Sequence, residues 1–189
     1  LDQVTSFSYD VSNRRTTKTD PLGRSRLYEY DLSSQLIAET DPTGFRTTYV
    51  YDSAGNVLLI ADPIGVIEQK TYDKKGNVLT RRDAAGRTTT FVFDGNSQLT
   101  SLTDNAGATT SFTYDAKRNV IGQSGPGATT LTMTRDARGN LLSAKTAENR
   151  TTAFTYSSQG DRLTQTAPDG GVTTWTYDLL GRQLTETDP

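Results

Sequence analysis

The 189-residue sequence contains no cysteine and no histidine, and only one methionine and one tryptophan. Without cysteine there is no disulfide and no thiolate chemistry, and the chain carries no mark of an oxidising or a reducing compartment. Without histidine there is no Ser-His-Asp triad, no Cys-His pair and no ordinary zinc site. No apolar run approaches the roughly 18 residues that a membrane-spanning helix needs. Neither sign of charge dominates: 20 Lys and Arg stand against 22 Asp and Glu, a net charge of −2. No basic stripe gathers, so nucleic acid is not an expected partner. The chain begins with Leu1 rather than Met and shows no signal peptide, so we expect a segment of a longer protein whose targeting information lies elsewhere.

What the sequence does have is a period. Tyr9, Tyr30, Tyr51, Tyr72, Phe93, Tyr114, Arg135, Tyr156 and Tyr177 stand 21 residues apart without a slip, and 189 is nine times 21. A period of this length fixes the architecture before any single element is read. It replaces the prior of one or two globular domains with one quasi-linear domain of nine repeats over residues 1–189.

The best-formed repeat holds two four-residue turns of the form Asp-x-x-Gly, and both recur through the array. The first follows the periodic aromatic residue, as in Asp52-Ser53-Ala54-Gly55, Asp73-Lys74-Lys75-Gly76, Asp136-Ala137-Arg138-Gly139 and Asp178-Leu179-Leu180-Gly181. The second is exemplified by Asp20-Pro21-Leu22-Gly23, Asp41-Pro42-Thr43-Gly44 and Asp62-Pro63-Ile64-Gly65. Asp at the first turn position accepts bonds from amides ahead of it, Pro presets φ, and Gly supplies the left-handed residue at the end. Between turns lie six or seven residues rich in Thr, Val, Tyr and Phe, which favour strands. No space remains for a helix. The fold class is therefore all-β: tandem 21-residue β-hairpins forming a continuous, curved antiparallel sheet of about 18 strands.

The strand before the first turn alternates. Phe7/Tyr9, Tyr28/Tyr30, Tyr49/Tyr51, Phe91/Phe93, Phe112/Tyr114, Phe154/Tyr156 and Trp175/Tyr177 place an aromatic ladder on one face, with mostly Thr on the other. The next strand opens on an apolar pair, as in Val57-Leu58 and Leu141-Leu142, which simple alternation assigns to both faces. Three repeats depart from the pattern, and we expect the most distorted hairpins there. Repeat one has no apolar pair after Asn13-Arg14-Arg15. Repeat seven has Arg135 at the aromatic position and is entered through Gly125-Pro126-Gly127-Ala128. Repeat eight reads Tyr156-Ser157 and is entered through Thr146-Ala147-Glu148-Asn149, where Asn149 can take the left-handed role of Gly.

The string Tyr49-Val50-Tyr51-Asp52-Ser53-Ala54-Gly55-Asn56-Val57-Leu58 resembles the YD-repeat signature, aromatic-x-Tyr-Asp-x-x-Gly-Arg/Asn-Leu. Trp175-Thr176-Tyr177-Asp178-Leu179-Leu180-Gly181-Arg182-Gln183-Leu184 is a second close match. The chain is thus similar over its whole length to Rhs or YD-repeat proteins of bacterial type, whose repeat is shared with Tc toxin B and C components and with teneurins. The residues that carry the likeness are Tyr9, Asp10, Tyr30, Asp31, Tyr51, Asp52, Gly55, Tyr72, Asp73, Gly76, Phe93, Asp94, Tyr114, Asp115, Tyr177, Asp178 and Gly181, all in structural roles. The resemblance implies a wall segment of a hollow β-shell that encloses a C-terminal toxin or cargo domain and is secreted or delivered by a secretion apparatus. It implies flanking repeats as partners, no cofactor and no enzymatic activity. The self-cleaving segment and the toxin domain of such proteins are not found in these residues.

The aromatic ladder could stack a cell-wall or host glycan, but aromatic cross-strand pairs are first of all a sheet's own packing. The Asp ladders at Asp52/Asp73/Asp94/Asp115/Asp136 and Asp20/Asp41/Asp62/Asp83/Asp104 place one carboxylate every two strands, roughly 10 Å apart. Calcium wants six to eight oxygens from one compact loop. Glu29 with Glu39, or Asp169 with Glu186, could be imagined as a glycosidase pair, but nothing selects them. Lys74-Lys75 and Arg81-Arg82 read as a solvated face, and Asn149-Arg150-Thr151 as an accidental glycosylation sequon. A ribbon of this width must curl, since strands twist, and its open edges favour self-association of the isolated segment.

Overall fold

The structure, a computed structural model, describes residues 4–189. The described residues form antiparallel strands joined by tight turns, and the one helical segment among them is a 3₁₀ turn at Pro126–Ala128. The chain divides into two compact units, Leu1–Phe91 and Val92–Pro189. The first holds β1 (Ser6–Asp10), β2 (Arg15–Thr19), β3 (Ser25–Tyr30), β4 (Leu36–Thr40), β5 (Arg46–Tyr51), β6 (Val57–Ala61), β7 (Val66–Tyr72) and β8 (Val78–Asp83), and β9 (Thr88–Phe93) begins in it. The second holds β10 (Leu99–Thr103), β11 (Thr109–Tyr114), β12 (Val120–Ser124), β13 (Thr130–Arg135), β14 (Leu141–Thr146), β15 (Thr151–Tyr156), β16 (Arg162–Thr166), β17 (Val172–Tyr177) and β18 (Gln183–Thr187). Within each unit every strand pairs antiparallel with its sequence neighbours, a meander of hairpins as the 21-residue period requires.

The turns explain why the chain reverses where it does. Asp52 Oδ1 accepts the amides of Ala54 and Asn56, both at 2.9 Å, and its Oδ2 accepts the Asn56 side-chain amide at 2.9 Å. The backbone closes the same turn through Gly55 N to Asp52 O at 3.1 Å. Asp73, Asp115 and Asp136 repeat the arrangement with Asn77, Asn119 and Asn140, while Asp20, Asp83 and Asp178 use the guanidinium of Arg24, Arg87 or Arg182. The left-handed position falls on Gly55 at φ 88°, yet Ser34, Ser97 and Arg118 hold the same place at 63°, 62° and 69°. Asn149 takes it at 61°, as its sequence position suggests.

Three expectations change. First, the apolar pair after each first turn does not simply alternate. In β5–β6, Val50 lies opposite Leu59 and Tyr51 opposite Val57, so Leu58 is an extra residue. The same bulge leaves Ile37, Leu79, Ile121, Leu142, Leu163 and Leu184 without an opposite number. A bulge bends the strand and interrupts its ladder. Second, repeat seven is no more distorted in its ladder than its neighbours: β13 and β14 pair from Leu131–Thr146 to Arg135–Leu141 with the same single bulge, and what sets the repeat apart is the turn at Gly125–Ala128. Repeat eight keeps its turn because Ser157 Oγ accepts the amides of Gln159 and Asp161 in place of a carboxylate. Repeat one departs the other way: β1 pairs with β2 in unbroken register from Ser6–Thr19 to Asp10–Arg15, with no bulge. The bulge position there is Thr16, and the left-handed residue moves one place on to Arg14. Third, Asp62-Pro63-Ile64-Gly65 closes one residue shorter than its counterparts, through Asp62 N to Gly65 O, and β6–β7 shifts register beside it.

Candidate functional site

The periodic tyrosine joins one hairpin to the one before it. Tyr51 donates its hydroxyl to the carbonyl of Leu36 at 2.8 Å, and Tyr72 to that of Val57 at 2.9 Å. In the second unit Tyr114 bonds Leu99, Tyr156 bonds Leu141 and Tyr177 bonds Arg162, at 2.7, 3.0 and 2.9 Å. The separation is 15 residues in every case. Burial, and then the charge of Asp31, push the Tyr51 hydroxyl above its ordinary pKa, which keeps the donor protonated.

Why the hydroxyl is needed follows from the bulge. The ladder between β4 and β5 runs from Thr40–Arg46 to Ala38–Thr48 and stops at the residue beside the bulged Ile37. Leu36 lies beyond it, so its carbonyl would lack a strand partner, a costly state for a part-buried peptide group. The phenol supplies the bond. Repeat one is the internal control. With no bulge, β2 and β3 pair along their whole length, from Thr19–Ser25 to Arg15–Glu29. The Tyr30 amide then continues the ladder to Arg14 O at 2.9 Å.

Arg135 looks like a break in the aromatic row, but the structure gives it the same task. Its Nε donates to Val120 O at 3.1 Å, again 15 residues back, and one guanidinium nitrogen donates to Gly139 O at 2.9 Å. Sequence reasoning missed this role, although its position in the period and its donor-only side chain were both visible. Phe93 has no hydroxyl to contribute.

The aromatic face is the more buried of the two. In β13 the residues Leu131, Met133 and Arg135 are half-buried, while Thr130, Thr132 and Thr134 are exposed. Trp175 is only 7% exposed, and the Arg162 guanidinium sits 4.0 Å from its ring centroid. That ring is covered rather than presented for stacking. The opposite face carries cross-strand hydroxyl pairs such as Thr155–Thr164 at 2.7 Å and Thr176–Thr185 at 2.6 Å.

The turn carboxylates serve their own turns. Asp52, Asp73, Asp115 and Asp136 are held below the usual carboxylate range, first by the side-chain amides of Asn56, Asn77, Asn119 and Asn140. Asp10 is lowered to about 2, first by the Asn13 side chain. Among the described residues no group of three or more Asp or Glu gathers as a metal site. Glu29 is bridged by Arg46 at 2.8 Å and Arg15 at 3.0 Å, and Glu39 by Arg26, so neither stands free as an acid or base. No helix among the described residues is long and apolar enough to cross a membrane.

Comparison with known proteins agrees with this geometry. The RHS Repeat family profile matches residues 9–44, 30–66, 72–108, 93–130, 135–172 and 158–189. Five of the six matches begin on a periodic position: Tyr9, Tyr30, Tyr72, Phe93 and Arg135. The chain belongs to the RHS repeat family. Its fold is similar to the crystal structure of TcdB2-TccC3 without its hypervariable C-terminal region, at a TM-score of 0.59 and 14% identity over 98% of this chain and 14% of that one. The crystal structure of TcdB2-TccC3 gives a TM-score of 0.55 with the same identity and coverage. The chain thus spans a small fraction of the length of those solved chains. No curated protein matches it in sequence.

Proposed function

We propose that these repeats are a non-catalytic wall segment of an RHS shell that encloses a C-terminal toxin or other cargo domain for secretion or delivery. The observation that carries this reading is the tyrosine bond by which five hairpins tie to the one before them, repeated at a fixed 15-residue separation. A side chain used in this way builds a continuous surface and leaves no special cluster for chemistry. Flanking repeats of the same protein are the natural partners of such a wall, because each repeat stacks only on its neighbours. The fold likeness to TcdB2-TccC3 supports the reading. The mechanism is exclusion: paired strands leave no opening through which a protease reaches the cargo.

Limited proteolysis of the full-length protein tests this. The cargo domain should survive a protease concentration that destroys it when it is expressed alone, and excision of a whole repeat pair from this segment should remove the protection. Equal digestion of enclosed and free cargo overturns the proposal.

A further inference from the structure

The joints between hairpins are built differently from the hairpins. In the β5–β6 hairpin the ladder resumes beyond the bulge, with Tyr51 opposite Val57. In the joints it does not. The β4–β5, β8–β9, β12–β13, β14–β15 and β16–β17 ladders each hold three residue pairs and each end beside the bulge. Past that point, across β4–β5, the Tyr51 hydroxyl is the bond that spans the strands. One side-chain hydrogen bond contributes modestly and can be made and broken independently of a ladder.

We propose that the tyrosine-latched joints are the compliant elements of the array: beyond its three-pair ladder each is held by a single phenol hydroxyl, and it loosens there when that bond is released while the hairpins on either side stay closed. The apolar bulge residue creates the joint by ending the backbone ladder, and the tyrosine sets how tightly it is held. Compliance is thereby metered along the chain in steps of 21 residues. Three observations support this independently of what the wall encloses. Where the bulge is absent, between β2 and β3, the ladder runs full length and backbone bonds replace the latch. Where the tyrosine is replaced by Arg135, the guanidinium restores the bond to the same carbonyl position. The hydroxyls accept no ladder duty inside their own hairpins, so they are free to act between them.

Amide hydrogen exchange on the 189-residue chain, resolved by residue, tests the proposal. In the unmodified protein the amides facing each other across β4–β5 should exchange faster than those across β5–β6. Tyr51→Phe keeps the ring and removes the latch, so β4–β5 exchange should rise about fivefold with β5–β6 unchanged. Tyr51→Arg should return most of the protection, as Arg135 does in its own repeat. Tyr30→Phe should leave β2–β3 unchanged. Joint amides protected as well as hairpin amides in the unmodified chain would overturn the idea without any variant. So would equal acceleration of joint and hairpin in Tyr51→Phe, failure of Tyr51→Arg to restore protection, or a loosening of β2–β3 by Tyr30→Phe.

Discussion

The two units solve one packing problem with a different mix of chemistry: ion-paired and apolar hairpins occur in the first, and hydroxyl pairs predominate in the second. At the position just before the periodic aromatic and its cross-strand partner, the first unit carries Glu29 opposite Ala38 and Val50 opposite Leu59, beside one hydroxyl pair, Thr71 opposite Thr80 at 2.7 Å. The second carries Thr134 opposite Ser143, Thr155 opposite Thr164 and Thr176 opposite Thr185. In the first unit Glu29 is held by Arg15 and Arg46, the latter reaching from β5 across β4 to β3. Ala38, on β4 beneath that reach, is completely buried. In the second unit the same positions hold hydroxyls that bond in pairs at 2.6–2.7 Å. The backbone register is the same, so the period specifies turns and pairing and leaves this face free to vary. Exposed ion pairs and hydroxyl pairs each contribute on the order of 0–1 kcal/mol, so neither solution is strongly preferred.

The largest separation of the two units should come from adding bulk at that register. Ala38→Leu has no space beneath the Glu29–Arg46 bridge and should cost about 1–3 kcal/mol. Thr164→Leu in the second unit stands half-buried with no ion pair above it and should cost less than about 1 kcal/mol. Chemical denaturation of the two variants measures the contrast, and equal costs would show that no bridge covers Ala38.

The turns should respond alike in both units, which isolates the face as the real difference. Gly55→Val forces a β-branched residue to φ 88° and should cost about 1–2 kcal/mol, whereas Ala54→Val, one place earlier, should be near neutral. The converse applies to Arg118, held at φ 69°, where Arg118→Gly should gain a few tenths of a kcal/mol to about 1 kcal/mol. Melting temperatures of the three variants check the signs.

Acid should separate the units by a smaller margin. Glu29 is held below its ordinary pKa first by Arg46, and Glu68 first by Lys70. A carboxyl lowered in the folded state contributes stability that is present above its unfolded pKa, about 4.3, and is lost as pH falls through the folded value. The first unit should therefore loosen as pH drops below about 4, and Glu29→Gln should flatten that acid limb. Thr164→Val should leave it unchanged. Hydrogen exchange between pH 5 and 2.5, corrected for intrinsic rates, reads both. Asp52, Asp73, Asp115 and Asp136 are also lowered, so turns in both units add a common acid response on which the Glu29 effect is superimposed.

Much of this is legible in the sequence. The 21-residue spacing, the Asp-led turns and the half-buried aromatic face all follow from local chemistry, because an Asx turn and a strand's alternation are decided within a few residues. The bulge was not legible. Val57-Leu58 reads as two faces of one strand, and only the register of the opposite strand shows that Leu58 has no partner. The tyrosine's task was hidden for the same reason, since it depends on where the ladder to the previous hairpin stops. Ser34, Ser97 and Arg118 escaped the turn pattern because left-handed φ was sought at glycine. Arg135 breaks the aromatic pattern of the sequence, yet what the position requires is a donor that reaches 15 residues back.

The smallest expected effect would bring an exception into line. At the register where the second unit pairs hydroxyls, Thr113 faces Gly122. A Cβ added there would meet Thr113 Oγ1 at 2.4 Å, so the threonine hydroxyl must rotate to admit it. Nothing else presses closely, the next atoms being Thr113 Cβ at 3.7 Å and Leu131 O at 3.9 Å. Rotation is affordable because Thr155–Thr164 and Thr176–Thr185 hold two hydroxyls at this register within hydrogen-bond distance. Glycine inside a strand costs roughly 0.5–1 kcal/mol in conformational freedom, and a Thr–Thr pair adds a few tenths of a kcal/mol. Against the modest cost of the rotamer change, Gly122→Thr should stabilise the second unit by about 0.5 kcal/mol and slow exchange across β11–β12 about twofold. A loss of stability would mean that Thr113 cannot turn, and that this hairpin differs from its neighbours in backbone as well as in side chain.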